Sequence, residues 1–518
     1  MNTILLKSVL LATLGSFPCP PAQAIGTSPV PGSSRPDAWG RPGGQVSLTV
    51  PEVLGRTVNV AGTPATVAGE QVSLTLPVGT PPGRLLIRFA DQSGTQTLAT
   101  REIEVLPDTA AQNDVLPGQL QLLLNPRLTP PQVQTLLAGI DPRLGRVIGT
   151  EVLPAPKTAP AARAVSPSPC GGTLAQLQLS AGVTLEQALN SLLATAGTDV
   201  WYPDPIGVWR APATAPATAP GSQPSFNYVP SPVSPRAALG MAGRPTTLTG
   251  QGVTIAVLDT GYSPALDPLN ELAGRVSAPL NALIPYDPLL SLQGTADFWE
   301  GHGTQVAIMA AGRLNGVATR AQVQPVKVCA PGANGRASCN TRDVLRGLCE
   351  TLAVVPADRL VFNLSLGGST PTSGIHAVLN WASGQGAVVV AAGGNGHGRG
   401  DPKEYPAAFA FGTPGQVSLP LLAVASVSPA GGALWQYSPF STLGGYLNIS
   451  APGEALDIGH THLYSGTSFA APLVAGAAAL VRQASASVSP AVVRQFMLQP
   501  ARVQNFPGVQ PMLSLRTY

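Results

Sequence analysis

Tyr464-Ser465-Gly466-Thr467-Ser468-Phe469-Ala470-Ala471-Pro472-Leu473-Val474-Ala475-Gly476 joins a turn of small residues to an apolar run. Gly466 permits dihedrals and a close backbone approach that a side chain would block. Thr467 and Ser468 stand where a helix would begin, and Pro472 suits a helix only near its start. Leu473, Val474, Ala477, Ala478, Leu480 and Val481 then predict a largely buried helix. Ser468 therefore falls in the first turn, beside unpaired backbone N–H groups and the positive end of the helix dipole. A hydroxyl there suits a nucleophile whose product is an oxyanion. It suits a helix-capping serine equally well, and this stretch alone does not separate the two.

Two further stretches do. Val253-Thr254-Ile255-Ala256-Val257-Leu258 is short, apolar and β-branched, and reads as a buried strand. Asp259-Thr260-Gly261 follows at its C-terminal end, where α/β sheets gather functional groups. Gly301-His302-Gly303-Thr304-Gln305-Val306-Ala307 sets a histidine between glycines at the opening of another apolar helix. From about residue 236 onward strands and helices alternate. Strands are expected at 321–329, 359–364, 386–392 and 421–427. Helices are expected at 341–355, capped by Thr341, at 374–383, and from Ser489-Pro490 to Leu498. This pattern predicts a doubly wound α/β domain with a mostly parallel sheet.

The three blocks, in the order Asp259, His302, Ser468, resemble those of the subtilisin-like serine peptidases, whose triad runs in that order. The resemblance covers roughly residues 236–505. It implies that His302 takes the proton of Ser468 and later returns it to the leaving amine. Asp259 would hold the imidazole tautomer and stabilise its cation. Val388–Ala392 running into Gly393-Gly394-Asn395 resembles the family's oxyanion block, which implies Asn395 as side-chain donor beside the Ser468 N–H. Asn363-Leu364-Ser365-Leu366-Gly367-Gly368 resembles the strand that pairs with substrate backbone, which implies Ser365, Leu366 and Gly367 as substrate-binding residues. Gln305 and Leu473 replace histidines usual in the family, and neither position belongs to the triad. Only Gly312-Arg313-Leu314-Asn315 precede Gly316, shorter than the family's calcium loop. That calcium site is therefore not carried over, and no cofactor or metal site is expected. His460 and His462 read as a solvated loop, His376 sits within a helix and His397 in a Gly-rich loop, and only His302 combines flanking glycines with a helix start.

Outside this half the sequence reads as an exported precursor. Residues 1–24 carry a signal-peptide pattern: Lys7, an apolar core from Ser8 to Phe17, and Ala22-Gln23-Ala24. Cys170, Cys329, Cys339 and Cys349 then make an even set for up to two disulfides, with Cys329–Cys339 favoured. Residues 25–43 form a loose linker. Alternation over 44–108 predicts a small Ig-like β-sandwich. Residues 114–209 read as β-α-β-β-α-β, a ferredoxin-like arrangement that resembles the propeptides of subtilisin-like proenzymes. Residues 210–235 form a Pro/Ala linker where a maturation cut is expected, ahead of a peptidase domain over 236–518.

Charged residues make up only 11 % of the chain and the net charge is +3, which gives no footprint for nucleic acid. No segment after the leader has the length and apolarity of a membrane span. The expected protein is a secreted monomer acting on protein or peptide substrates, with its own propeptide as a partner in cis. A catalytically idle surface-binding protein on the same scaffold is the rival expectation.

Overall fold

The computed structural model describes residues 3–5, 36–106, 114–157, 167–195, 199–211, 231–241, 247–283, 294–298, 301–332, 337–411, 418–460, 462–485, 487–500 and 502–515, less loop positions 55–56, 61–62, 67–69, 79, 81–82 and 432–433. Most of the expected leader, residues 25–35 of the loose linker and 212–230 of the Pro/Ala linker lie outside the described residues.

Among the described residues up to 106 the strands form two small sheets. Gln45–Thr49 and Gln71–Thr75 pair antiparallel, with Thr3–Leu5 parallel to the latter. Ala38–Gly40, Thr97–Val105, Gly83–Ala90, Thr57–Val60 and Thr63–Thr66 form the second, in that order. Alternation sends Val46 and Leu48 inward and leaves Gln45, Ser47 and Thr49 exposed. Val46, Leu48, Leu74, Phe89 and Ile103 share one core.

Next come Val115–Leu124 (β1), Pro130–Ala138 (α1), Gly145–Val152 (β2), Thr173–Leu179 (β3), Leu185–Thr195 (α2) and Val200–Trp209 (β4). The strands pair antiparallel in the order β2-β3-β1-β4. Thr184 and Gln187 start α2 reciprocally: the Thr184 N–H donates to Gln187 Oε1 at 3.0 Å and the Gln187 N–H to Thr184 Oγ1 at 3.2 Å. One sheet face packs Leu120, Leu122 and Leu177 against Leu189 of α2. The other carries Leu123, Leu174, Trp201 and Tyr202 into the core of the following region.

That region holds Thr254–Asp259 (β5), His302–Ala311 (α3), Gln322–Lys327 (β6), Ala337–Asn340 (β7), Thr341–Val354 (α4), Leu360–Leu364 (β8), Ser373–Gly384 (α5), Val388–Ala392 (β9), Leu422–Gly431 (β10), Ile449–Pro452 (β11), Thr467–Ala484 (α6) and Pro490–Met497 (α7). Its sheet runs β6-β5-β8-β9-β10-β11, each neighbouring pair parallel. Antiparallel pieces at Leu434–Tyr437 and Val503–Gln504 make it mixed. Ile255 to Asp259 are all buried, as expected of a strand covered on both faces. Val306, Ile308, Leu473 and Val474 of α3 and α6 cover one face, and Leu345, Leu348, Val378 and Leu379 of α4 and α5 the other. The chain leaves β5 for β6 on one side and later returns to β8 on its other side. β5 is thus the reversal point, where strand ends open a crevice.

Two local expectations need correction. Asn340, not Thr341, occupies the N-cap of α4. The Thr341 hydroxyl is engaged instead by the Gly207 N–H of β4, at 2.9 Å. Pro472 lies inside α6, as the sixth residue after the N-cap Gly466, rather than in its first turn.

The two regions are joined along β4. Val208 and Trp209 pair antiparallel with Asn340 and Cys339 of β7, so one sheet runs from β2 through β4 into β7. The Trp209 indole N–H donates to Thr370 O at 3.0 Å. The Asp204 carboxylate accepts the N–H groups of Ser373 and Gly374 at 2.9 and 2.8 Å, serving the N-terminus of α5 from another part of the chain. Cys329–Cys339 forms as favoured, ten residues apart, and Cys170–Cys349 closes a separation of 179 residues between the two regions.

Candidate active site

Asp259 ends β5 and His302 opens α3, and the packing of that helix on the strand brings them together. His302 Nδ1 lies 2.7 Å from Asp259 Oδ1. The same oxygen accepts the Thr260 N–H at 2.7 Å, which fixes the carboxylate. Burial opposes the imidazolium most strongly. The Asp259 charge and hydrogen bond, with the Asp297 charge, together outweigh it and raise the His302 pKa above its ordinary value. Asp297 was not legible in the sequence. It accepts the Thr260 hydroxyl at 2.6 Å, and the Thr304 N–H and hydroxyl at 2.7 and 2.6 Å, so it ties the strand end to the helix start. Burial, against these hydrogen bonds, pushes its own carboxyl upward.

Ser468 is the second residue of α6 and fully buried, and its Oγ has no hydrogen-bond partner among the described residues. Phe469, next to it, packs 5.1 Å between ring centroids from His302. Asn395 sits just beyond β9. Its Oδ1 accepts the Thr467 N–H at 3.0 Å and the Thr467 hydroxyl at 2.9 Å, which fixes the orientation of the amide. A Cβ on Gly466 would stand 2.9 Å from Ser468 Oγ and 3.3 Å from Asn395 Nδ2. The hydroxyl and the amide therefore face one small space, open only because residue 466 has no side chain. Its φ of 152° is a further reason for glycine.

Ser365 does something its motif did not reveal. Pro472 has no N–H to give the carbonyl of Ser468, four residues earlier. The Ser365 hydroxyl donates to that carbonyl instead, at 2.7 Å, and accepts from Asn363 Nδ2 at 3.0 Å. Leu366 is buried. Gly367 uses its backbone: it donates to Arg210 O at 3.0 Å and accepts the Arg210 N–H at 2.8 Å. Arg210 follows β4, so the end of the preceding region lies antiparallel along the strand expected to receive substrate. Asp114 holds it there, with an ion pair to Arg210 at 3.1 Å and an accepted hydrogen bond from Ser369.

The short turn at 312–316 folds on a carboxylate. Buried Glu271 accepts the N–H groups of Leu314 and Asn315 at 3.0 and 2.9 Å. Among the described residues no helix is long and apolar enough to cross a membrane.

Comparison with known proteins bears on the second half of the chain. The subtilase family model matches residues 250–513. Subtilisin Savinase of Lederbergia lenta is 34 % identical over 267 residues, 49 % of this chain and 85 % of that protein. An alkaline protease of Alkalihalobacillus alcalophilus is 34 % identical over 267 residues, and the chain spans 60 % of its length. Among solved structures, fervidolysin from Fervidobacterium pennivorans, described as a keratinolytic enzyme related to subtilisin, is similar in fold with a TM-score of 0.53. It is 19 % identical, with 79 % of this chain and 61 % of that one covered.

Proposed function

The chain belongs to the subtilase family of serine endopeptidases, and we propose that it is an exported member of it, made as a proenzyme restrained by its own residues 114–211. Ser468 attacks the peptide carbonyl. His302 accepts its proton and then protonates the leaving amine, and Asp259 holds the imidazole and stabilises its cation. Asn395 Nδ2 and the Ser468 N–H hold the oxyanion. Acyl-enzyme and amine form, and water completes hydrolysis by the same route reversed. Residues 365–367 receive the extended substrate backbone. In the precursor Arg210 lies across Gly367, and this supports a ferredoxin-like propeptide whose tail blocks the cleft.

The observation that carries this reading is the single space flanked by Ser468 Oγ and Asn395 Nδ2, one residue from a ring packed on an Asp259-bonded histidine. The test is hydrolysis of casein by the matured chain together with labelling by a serine-directed fluorophosphonate, with Ser468→Ala as control. Absence of both in the unsubstituted chain overturns the reading.

A further inference from the structure

Behind the gap between the Asn395 turn and the 365–368 strand stands a carboxylate that the mechanism does not use. Tyr405 bridges Gly368, donating to its carbonyl at 2.8 Å and accepting its N–H at 3.1 Å, and this fixes the preceding residue, Glu404, between two backbone walls. A Cβ on Gly394 would meet Glu404 Cγ at 2.2 Å and Oε1 at 3.0 Å. A Cβ on Gly367 would meet Glu404 Oε2 at 3.1 Å. Both walls are glycine, and both face the same acid. Gly394 immediately precedes the oxyanion amide, and Gly367 ends the strand along which substrate would lie.

A peptide with its carbonyl between Ser468 Oγ and Asn395 Nδ2, and its backbone along Ser365–Gly367, has one side chain to place in that gap. It is the one on the acyl side of the scissile bond. We propose that Glu404 is the floor of the pocket for this side chain and selects lysine or arginine there. This rests on the endopeptidase reading and deepens it by naming the substrate class. An apolar side chain would leave the carboxylate desolvated without a counter-charge, whereas an ammonium or guanidinium supplies one. The charges around Glu404 agree. Burial first, and the Asp114 charge second, push its carboxyl up to about 7 against the pull of Arg210 and Arg399. Both of those guanidiniums are engaged elsewhere: Arg399 donates to Asn395 O at 2.8 Å and Arg210 pairs with Asp114 at 3.1 Å.

The test uses the matured chain and pairs of fluorogenic peptides that differ only in arginine or phenylalanine on the acyl side of the bond. Arginine is expected to be favoured in kcat/KM by about tenfold or more, and Glu404→Gln, which keeps the side chain's size, should bring the ratio close to one. Benzamidine, a small aryl cation, should slow fluorophosphonate labelling of the parent chain and not of the glutamine variant. A chain that labels with fluorophosphonate but prefers phenylalanine, or whose ratio is unmoved by Glu404→Gln, overturns the pocket assignment alone. A chain that neither labels nor hydrolyses any peptide overturns the underlying reading, and the proposal with it.

Discussion

Residues 115–211 and 247–515 are both sheets backed by helices, yet they hold their important groups differently. In the later region the sheet is parallel and covered twice, and the candidate groups stand where strands end and helices begin: Asp259 on β5, Asn395 after β9, His302 on α3, Ser468 on α6. In the earlier region the strands are antiparallel and the contribution comes from the margin. β4 runs off its own sheet onto β7, and Arg210 continues onto Gly367. Doubly covered layers fix single side chains closely enough for chemistry. A strand margin fixes backbone, which suits restraint. Substitutions of these groups in the later region should therefore cripple turnover, and those in the earlier region should alter only how firmly the halves are held.

The largest effect expected is that of Ser468→Ala, which should lower kcat by about 10⁶, the size of loss found for the nucleophile of subtilisin. Casein turnover within tenfold of the parent would break the comparison at its strongest point. Asn395→Ala should cost on the order of 10²–10³ in kcat, again a figure known from subtilisin, with KM little changed. Ser365→Ala leaves the Ser468 carbonyl with neither helical nor side-chain partner, and should destabilise the fold by about 1–3 kcal/mol in denaturant titration. Asp204→Ala uncaps α5 and should cost about 0.5–2 kcal/mol in the joined chain. Unchanged stability in Asp204→Ala would show that the cap is not supplied across the junction.

The smallest effect is on pH dependence. A raised His302 pKa favours the imidazolium, so the base form appears only as pH climbs past a value above the usual 6.5, and activity fades as pH falls through it. A kcat/KM profile whose acid limb lies at or below 6.5 would contradict the balance of burial, Asp259 and Asp297 described above.

The sequence exposes what is local. β5 with Asp259, and the helix starts carrying His302 and Ser468, are legible because glycines, β-branched runs and small residues mark strand ends and tight turns within a few positions. The Cys329–Cys339 pair is legible for the same reason. What depends on distant partners is not. Asp297 acts through hydroxyls on two other elements and sits in no periodic pattern. Thr341 looks like a cap until a backbone N–H from 134 residues away engages its hydroxyl. Pro472 looks misplaced inside a helix until Ser365 takes over the carbonyl it leaves free. Glu404 lies in an irregular stretch whose meaning comes only from the two glycines it faces.

Cys170–Cys349 has a consequence for what severing the chain can achieve. Hydrolysing any bond between residues 212 and 230 yields two polypeptides that remain one covalent molecule, since the bridge lies on either side of that interval. The N-terminal piece then stays beside the other at an effective concentration of about millimolar, whatever the dilution of the sample. Both sulfurs are buried, at 3 % and 0 % exposure of their residues, so ambient thiols reach them poorly. The latency proposed above would outlast the cut and end only when that piece is itself dismantled. On a denaturing gel the nicked protein would run as one band until reductant is added.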